Sequence, residues 1–349
     1  MQSRGNADRI VSVLVPCRNE LRYVESFCRN ALAQALPPDW VLDLIVADGM
    51  SDDGTRDLLT ALSSADDRVR WIDNPERIVS TGLNRALAQA RGEVIVRMDV
   101  HTVYADDYVA RCLEVLAETG ADNVGGAWRA QPDREAGGLQ SAISAAFQSR
   151  WVAGGALSRQ LDYEGWADTV YLGCWPRATF NRFGLFDESL VRNQDDEHNL
   201  RITRGGGRIW QSSRIRSTYF PRNSLVQLFR QYLQYGYWKP FIAKKHGQPA
   251  AWRHLVPALF VAGLAVLAMA ALLGAPAWPF ILCLLGYVLA VGAVSALAAC
   301  KASLKPAASA CLPAVIGAYH FGYGIGSLFG WWDVLRGRPA RDRFAKLTR

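Results

Sequence analysis

Two acidic groups in the sequence have the residue types that bind cations or accept protons. Asp99-Val100-His101 follows directly on the apolar run 94–98, and Asp195-Asp196-Glu197 precedes a helix-like pattern. A carboxylate beside an imidazole can hold a divalent cation, and an ionised carboxylate can act as a general base. Each group also has a purely structural interpretation, because aspartates frequently cap turns and helices.

The elements that would position these groups alternate between strand and helix patterns. We predict strands at 10–15, 41–47, 69–72 and 93–98, and helices at 21–35, 55–63 and 80–90. Apolar, β-branched strands in a βαβα order predict an α/β fold with a mostly parallel sheet. Asp48 and Asp99 both end strands, and open α/β sheets bind ligands at that edge. The mixed pattern at 125–219 is interpreted as a second, irregular half of one domain covering 1–224.

Charge is distributed unevenly along the 349 residues. The net charge is −10 for residues 1–197, +10 for 198–250 and +7 for 251–349. A basic segment between an acidic domain and apolar runs predicts contact with anionic membrane lipids. Nucleic acid is the rival partner, but no nucleic-acid-recognition motif accompanies the basic residues, so we expect none.

The carboxyl-terminal third predicts membrane association. Residues 225–250 form an amphipathic segment of the interfacial kind, and 251–335 contain apolar runs at about 255–273, 279–299 and 311–331. The basic tail 336–349 favours the cytoplasmic side, so we expect the first two runs to form a hairpin and the third to be re-entrant or interfacial. The seven cysteines lack metal-ligand spacing, and the amino terminus lacks a signal-peptide pattern, so the first domain is expected in the cytoplasm.

Four segments in order carry a family resemblance: PCRNE at 16–20, IVADGMSDDGT at 45–55, STGLNRALAQARGEVIVRMDVH at 80–101 and NQDDEHNLRI at 193–202. Together they resemble the family 2 glycosyltransferases, whose GT-A fold binds a nucleotide sugar. With the apolar carboxyl-terminal runs, the chain looks most similar to the membrane-bound succinoglycan-type (ExoA-like) glucosyltransferases of bacterial exopolysaccharide synthesis.

The resemblance implies donor-side roles for one group of residues. Asp48 would accept a hydrogen bond from the nucleotide base, and Asp99 would hold Mg²⁺ or Mn²⁺ against the donor diphosphate. Where the family often has Asp-x-Asp, this chain has His101, which is either a metal ligand or a hydrogen-bonding turn residue. The remaining expected nucleotide-sugar contacts are Pro16, Arg18, Glu20 and Asn84. Glu20 has a second interpretation, as a first-turn carboxylate stabilised by a helix dipole.

On the acceptor side, the resemblance assigns the general base to Asp196, with Asp195 standing where relatives often have Glu. The other expected acceptor or diphosphate contacts are Trp175, Glu197, Arg230, Gln234 and Trp238. Trp175 has a core-packing alternative. The segment Gln234-Tyr235-Gly236-Tyr237-Trp238 is similar to the Gln-x-x-Arg-Trp of processive synthases, but Tyr237 replaces the arginine, which favours addition of a single sugar.

The resemblance therefore implies an inverting, metal-dependent enzyme that moves one sugar, glucose from UDP-glucose, onto a polyprenyl-diphosphate-linked saccharide. It implies a bacterial inner-membrane location with the catalytic domain facing the cytoplasm. Three alternatives stay open at this point: a polyprenyl-phosphate sugar synthase, a processive polysaccharide synthase, and a membrane-anchored nucleotide-sugar sensor without catalysis.

Overall fold

The computed structural model describes residues 9–133, 136–152 and 154–338, which group into two compact units. The first unit contains the described residues up to 129, with 157–188 and 194–219. The second contains the described residues of 130–156, 189–193 and everything from 220 onward. The sequence pattern predicts that 130–156 and 189–193 belong with the first unit. The structure differs because their packing partners in the chain come only after residue 219, and a local pattern does not indicate such distant partners.

Eight strands of the first unit form one mixed sheet in the order β3-β2-β1-β4-β9-β6-β10-β8, and a smaller sheet has the order β5-β11-β7. The strands are β1 Arg9–Cys17, β2 Trp40–Asp48, β3 Val69–Asp73, β4 Val94–Arg97, β5 Thr102–Tyr104, β6 Asn123–Gly126, β7 Arg129–Ala130, β8 Gly165–Trp166, β9 Tyr171–Pro176, β10 Ile209–Gln211 and β11 Ser217–Tyr219. The predicted parallel arrangement holds for β3, β2, β1 and β4. β9 then pairs antiparallel with both β4 and β6.

Eleven α-helices occur in the described residues: α1 Leu21–Leu32, α2 Thr55–Ala65, α3 Val79–Gln89, α4 Tyr108–Thr119, α5 Gly138–Gln148, α6 Arg177–Phe183, α7 Gln194–Arg204, α8 Leu225–His246, α9 Val256–Leu272, α10 Trp278–Lys301 and α11 Pro306–Leu335. Single 3₁₀ turns lie at Leu157–Arg159 and Trp252–His254. The predicted helices at 21–35, 55–63 and 80–90 and the amphipathic helix at 225–246 are present.

The core of the first unit lies on both faces of the sheet. Val13 and Val96 point to one cluster, whereas Leu14 and Ile95, their neighbours along the strands, point to the other. All four side chains are almost completely buried. Because neither face of β1 or β4 is open to water, these strands read as continuous apolar runs rather than alternating ones.

Two helices of the second unit are long and apolar enough to cross a bilayer: Trp252–Leu272, which includes the short turn before α9, and Trp278–Lys301. They match the predicted runs at 255–273 and 279–299. The third run lies in α11, a single unbroken helix of 30 residues. A re-entrant segment must reverse direction inside the bilayer, so that prediction is wrong, and the interfacial alternative stays a prediction.

Glycines bring α11 into very close contact with α8. Gly322, Gly326 and Gly330 repeat every four residues along α11 and face the α8 backbone. A β-carbon added to Gly326 would lie 2.0 Å from the Leu233 carbonyl oxygen, and one added to Gly236 of α8 would meet the α11 backbone at the same distance. Small residues at this spacing let helix backbones approach closely in membranes.

We therefore expect Gly326→Ala to lower the free energy of unfolding by about 1–3 kcal/mol, the usual cost of overpacking a tight interface. Gly317→Ala is the matched control on the same helix, because nothing lies within 4 Å of a β-carbon there. Thermal unfolding of the detergent-solubilised protein measures both variants. Equal midpoints for the two would contradict the close α8 and α11 contact.

Candidate functional site

Asp99 lies just beyond the end of β4 and is held there by two neighbours. Arg97 donates from Nε to Asp99 Oδ1 at 3.1 Å and from Nη2 to Oδ2 at 3.2 Å. The Asp99 backbone N–H donates to the Tyr104 hydroxyl at 2.6 Å. The side chain of Arg97 is only 8% exposed and that of Asp99 17% exposed. This pairing fixes the carboxylate at the carboxyl edge of the sheet, where a ligand can reach it.

Electrostatics keep this group of residues in defined charge states. Burial lowers the pKa of Arg97, but the charges of Asp99 and Asp195 outweigh burial and raise that pKa above its usual value. Burial and the charge of Asp99 both raise the pKa of Tyr104 well above its usual value. Arg97 is therefore a permanent cation, and Tyr104 is a protonated hydroxyl.

Asp99 has the coordination capacity that a divalent cation requires. An ionised carboxylate offers about four lone-pair sites, and Arg97 uses two of them. His101 is 43% exposed, and its Nδ1 lies 3.6 Å from Glu20 Oε1. Among the described residues, no group of three or more His, Cys, Asp or Glu side chains is arranged to hold a metal. A cation here would take Asp99, with His101 as the predicted second ligand, and complete its shell with phosphate and water, as Mg²⁺ commonly does.

Asp48 ends β2 but faces inward. It is 0% exposed and accepts hydrogen bonds from the Ser51 backbone N–H at 3.0 Å and from Arg56 Nη1 at 2.9 Å. The Ser51 hydroxyl also donates to it. The carboxylate thus holds the turn that follows β2, so the predicted contact with a nucleotide base is corrected: in this structure Asp48 is buried and bonded within the protein.

Of the other predicted nucleotide contacts, some are buried and some lie at the surface. Pro16 is half-buried at the end of β1, Arg18 is exposed beside Gly49, and Glu20 is buried. Asn84 donates to the Phe186 carbonyl at 2.8 Å and accepts from the Phe186 N–H at 3.0 Å. Asn84 therefore ties α3 to the segment after α6, whereas Arg18 lies on the surface where a nucleotide could contact it.

The second acidic group forms the first turn of α7. Asp195 and Asp196 are partly exposed, and the Asp196 N–H donates to Asp195 Oδ1 at 2.9 Å. Asp195 Oδ2 lies 3.8 Å from Arg97 Nη1. Negative charge is favourable at a helix amino terminus, so capping and catalysis are compatible here. The fold thereby brings the two acidic groups to opposite sides of one arginine.

Glu197 faces the protein interior. It is 0% exposed, and both of its carboxylate oxygens accept from Arg201 Nε at 3.0 Å. Arg201 also donates to the Phe183 and Leu185 carbonyl oxygens. The predicted acceptor contact of Glu197 is therefore corrected to an anchor that attaches α7 to the end of α6.

Trp175 also lies in the core. It is 1% exposed, and its ring contacts those of Phe180, Phe186 and His198 at centroid distances of 5.6–6.1 Å. The prediction that Trp175 stacks on a sugar is wrong, and its core-packing alternative is what the structure has. The reason is its place on β9, a central strand whose two faces are both covered.

The predicted residues of α8 belong to the second unit. Arg230 is exposed, Trp238 is 0% exposed, and Gln234 accepts a hydrogen bond from Arg192 Nε at 2.7 Å. The side chain of Asn193 donates to the Tyr235 carbonyl at 3.0 Å. Gln234 and its neighbour thus hold the two residues that come directly before α7.

Tyr237, which replaces the arginine of the processive-synthase motif, is buried. Its hydroxyl donates to Asp333 Oδ2 on α11 at 2.9 Å. The side chain at this position joins two helices of the second unit, so its role here is packing.

Sequence reasoning missed three residues of the site: Arg97, Tyr104 and Arg56. Arg56 joins Asp48 and Asp73, with both contacts at 2.9 Å. A signal existed only for Arg97, which is a charged residue inside an otherwise apolar strand and therefore needs a partner. Tyr104 and Arg56 look like ordinary residues of a strand and a helix surface.

His198 is a buried residue of α7 and packs against its neighbours as a neutral ring. It stacks on Phe180 at 5.1 Å, and its Nε2 lies 3.0 Å from the Gly184 carbonyl oxygen. Burial, assisted by the charge of Arg201, lowers the pKa of His198 to about 4. Protonation of this ring is therefore unfavourable in the folded protein.

Because the folded pKa lies below the unfolded one, the unfolded chain binds the extra proton first as the pH falls. We expect the His198 contribution to be complete above pH 6.5 and to disappear as the pH falls toward 4, a loss of about 3 kcal/mol. Denaturant unfolding of the wild type and of His198→Phe between pH 7 and 4.5 measures this. Parallel pH profiles for the two proteins would contradict it.

Comparisons with known proteins show which family the chain belongs to. The model of glycosyl transferase family 2 matches residues 12–173. Succinoglycan biosynthesis protein ExoA of Rhizobium meliloti (strain 1021) is 33% identical over 247 residues, covering 70% of this chain and 73% of that protein. A dolichyl N-acetyl-alpha-D-glucosaminyl phosphate 3-beta-D-2,3-diacetamido-2,3-dideoxy-beta-D-glucuronosyltransferase of Methanococcus voltae is 22% identical over 243 residues, covering 67% and 74%.

Among solved structures, the mannosyltransferase PcManGT from Pyrobaculum calidifontis, in complex with GDP-Man and Mn²⁺, superposes with a TM-score of 0.57. It is 20% identical in sequence, and the match covers 93% of this chain and 87% of that one. That likeness concerns the fold, and the family follows from the sequence matches. This chain therefore belongs to glycosyltransferase family 2 and is a glycosyltransferase with a GT-A fold.

Proposed function

We propose that this enzyme is an inverting, metal-dependent glycosyltransferase that moves one glucose from UDP-glucose onto a polyprenyl-diphosphate-linked saccharide in exopolysaccharide synthesis. The observation that carries the proposal is the position of Asp99 and Asp195 on either side of Arg97. It brings a cation-binding carboxylate and a base-bearing helix to one place, as transfer from a diphosphate donor to a hydroxyl requires.

The chemistry divides between the two acidic groups. Asp99 would hold a divalent cation, which would neutralise negative charge on the diphosphate leaving group. Asp196 accepts the proton of the acceptor hydroxyl as that oxygen attacks the anomeric carbon from the face opposite the diphosphate, which inverts the configuration. Its partly exposed position in the first turn of α7 supports this role. The Mn²⁺ in the complex of the mannosyltransferase with the same fold supports the choice of a divalent cation.

The second unit supports a lipid-borne acceptor. Its two candidate spans would keep the enzyme at the membrane, where an acceptor confined to the bilayer has a high effective concentration. A role in exopolysaccharide synthesis is supported by the relation to a succinoglycan biosynthesis protein. Glucose as the donor sugar follows from the family resemblance of the sequence. The burial of Tyr237 against Asp333, in place of a motif arginine, supports single addition over processive synthesis.

The test of this function is UDP release by purified membranes that contain the enzyme, supplied with UDP-glucose. We expect release only when a polyprenyl-diphosphate-linked saccharide is added, and none from Asp99→Ala, since that variant loses its cation and with it metal-dependent UDP binding. A long polymer as the product would show a processive synthase instead. Full activity of Asp99→Ala would show that the cation site lies elsewhere.

A second variant tests the base. Asp196→Asn keeps the shape of the side chain but cannot accept a proton, so turnover should fall by about 10²- to 10⁴-fold while UDP-glucose binding stays near normal. Glu197→Gln is the matched neighbour. It leaves Arg201 without its buried counter-charge and should chiefly lower the free energy of unfolding, by about 3 kcal/mol. Near-normal turnover of Asp196→Asn would move the base to Asp195.

We also propose that the first unit faces the cytoplasm of the bacterial inner membrane, with α9 and α10 as a hairpin and α11 at the interface. The carboxyl terminus then lies on the cytoplasmic side, as its basic residues favour. A reporter fused after residue 349 that fluoresces only in the cytoplasm should be bright, whereas a periplasm-dependent reporter should be silent. The reverse pair of results would make α11 a third span.

A further inference from the structure

Arg97 is the buried contact between the two acidic groups. Its Nε and Nη2 are committed to Asp99, and its Nη1 points toward Asp195 Oδ2 at 3.8 Å. That last separation is an ion-pair distance and too long for a hydrogen bond. The Arg97 guanidinium therefore lies near two carboxylates but is hydrogen-bonded only to that of Asp99.

A purely structural role does not account for this geometry. Nη1 of Arg97 is buried and makes no hydrogen bond among the described residues. Leaving a buried donor unsatisfied costs about 1–3 kcal/mol, so a residue that only supports the strand would be expected to use it. Arg70, in the same sheet, makes the same kind of fork: its Nε and Nη2 donate to Asp43 at 2.7–3.0 Å, and Nη2 also donates to the Gln89 carbonyl. Its side chain is 29% exposed, so water can reach it, whereas Nη1 of Arg97 is buried.

The charges indicate when Arg97 Nη1 and Asp195 Oδ2 would form a hydrogen bond. A dication at Asp99 brings positive charge next to Arg97 and competes with it for the same carboxylate. The balance of attraction on the guanidinium then moves from Asp99 toward Asp195. A shift of less than 1 Å turns the 3.8 Å separation into a hydrogen bond and fixes the first turn of α7, which carries Asp196.

We propose that Arg97 is a positioning residue that couples cation and donor binding at Asp99 to the ordering of the first turn of α7 through Asp195. This inference rests on the proposed function for the roles of Asp99 and Asp196. It adds that the first turn of α7, which is already helical without ligand, is held more firmly once the donor is in place.

The experiment is amide hydrogen exchange of residues 194–200 in the full chain in lipid nanodiscs, without ligand and with Mn²⁺ and UDP. In the wild type we expect the ligands to slow exchange of this segment about tenfold, a typical coupling between sites. Arg97→Lys keeps the charge but loses the fork that reaches two carboxylates. We expect calorimetry to show that Arg97→Lys still binds Mn²⁺ and UDP. Binding should slow amide exchange of residues 194–200 by less than about twofold.

Asp195→Asn removes the other end of the contact and leaves the Arg97 and Asp99 pair intact. It should likewise bind the ligands with little slowing of exchange, so the inference stays testable if Arg97→Lys folds poorly. Arg70→Lys is the control for loss of an arginine–carboxylate fork elsewhere in the same sheet, and should keep the wild-type slowing.

Wild-type slowing in either Arg97→Lys or Asp195→Asn overturns the coupling. Ligand binding to the wild type with no slowing at 194–200 also overturns it, and leaves the proposed function standing. Failure of the wild type to bind Mn²⁺ and UDP at all would instead count against the proposed function, and against this inference with it.

Discussion

The rest of the structure depends on the burial of both faces of the parallel strands β1, β2 and β4. Helices and core clusters cover these strands on each side, so their interiors accept almost only apolar residues. Polar side chains are therefore displaced mainly to the points where the strands end, and parallel strands end at one edge. Asp48 and Asp99 lie at that edge for this reason. Arg97 is the exception within β4, and it is tolerated because Asp99 neutralises it.

The sequence predicts this arrangement well, because the signals are local. An apolar run that stops at an aspartate identifies both the strand and its end, and the βαβα order determines which strand ends lie together. Strands β1 to β4 and helices α1 to α3 were predictable on these grounds. The direction in which a carboxylate points is not indicated by the strand pattern. Asp48 turns inward because Arg56 and Ser51 are present to receive it, whereas Asp99 stays partly exposed.

Contacts between distant parts of the chain were beyond this reasoning. No pattern in 94–101 indicates that Arg97 will face Asp195, and an isolated tryptophan such as Trp175 looks the same whether it is in a core or beside a sugar. The α11 glycines are different. Their four-residue spacing is visible in the sequence, and glycine periodicity of this kind indicates close helix packing.

The path of the chain between the two units has a practical consequence. Residues 130–156 and 189–193 belong with the helices after residue 219, although they are enclosed in sequence by segments of the first unit. Arg192 and Asn193 are bonded to α8, and α7 begins at the very next residue. A chain shortened at residue 224 would thus retain Asp99, Asp195 and Asp196 but lose the hydrogen bonds that hold the two residues directly before α7.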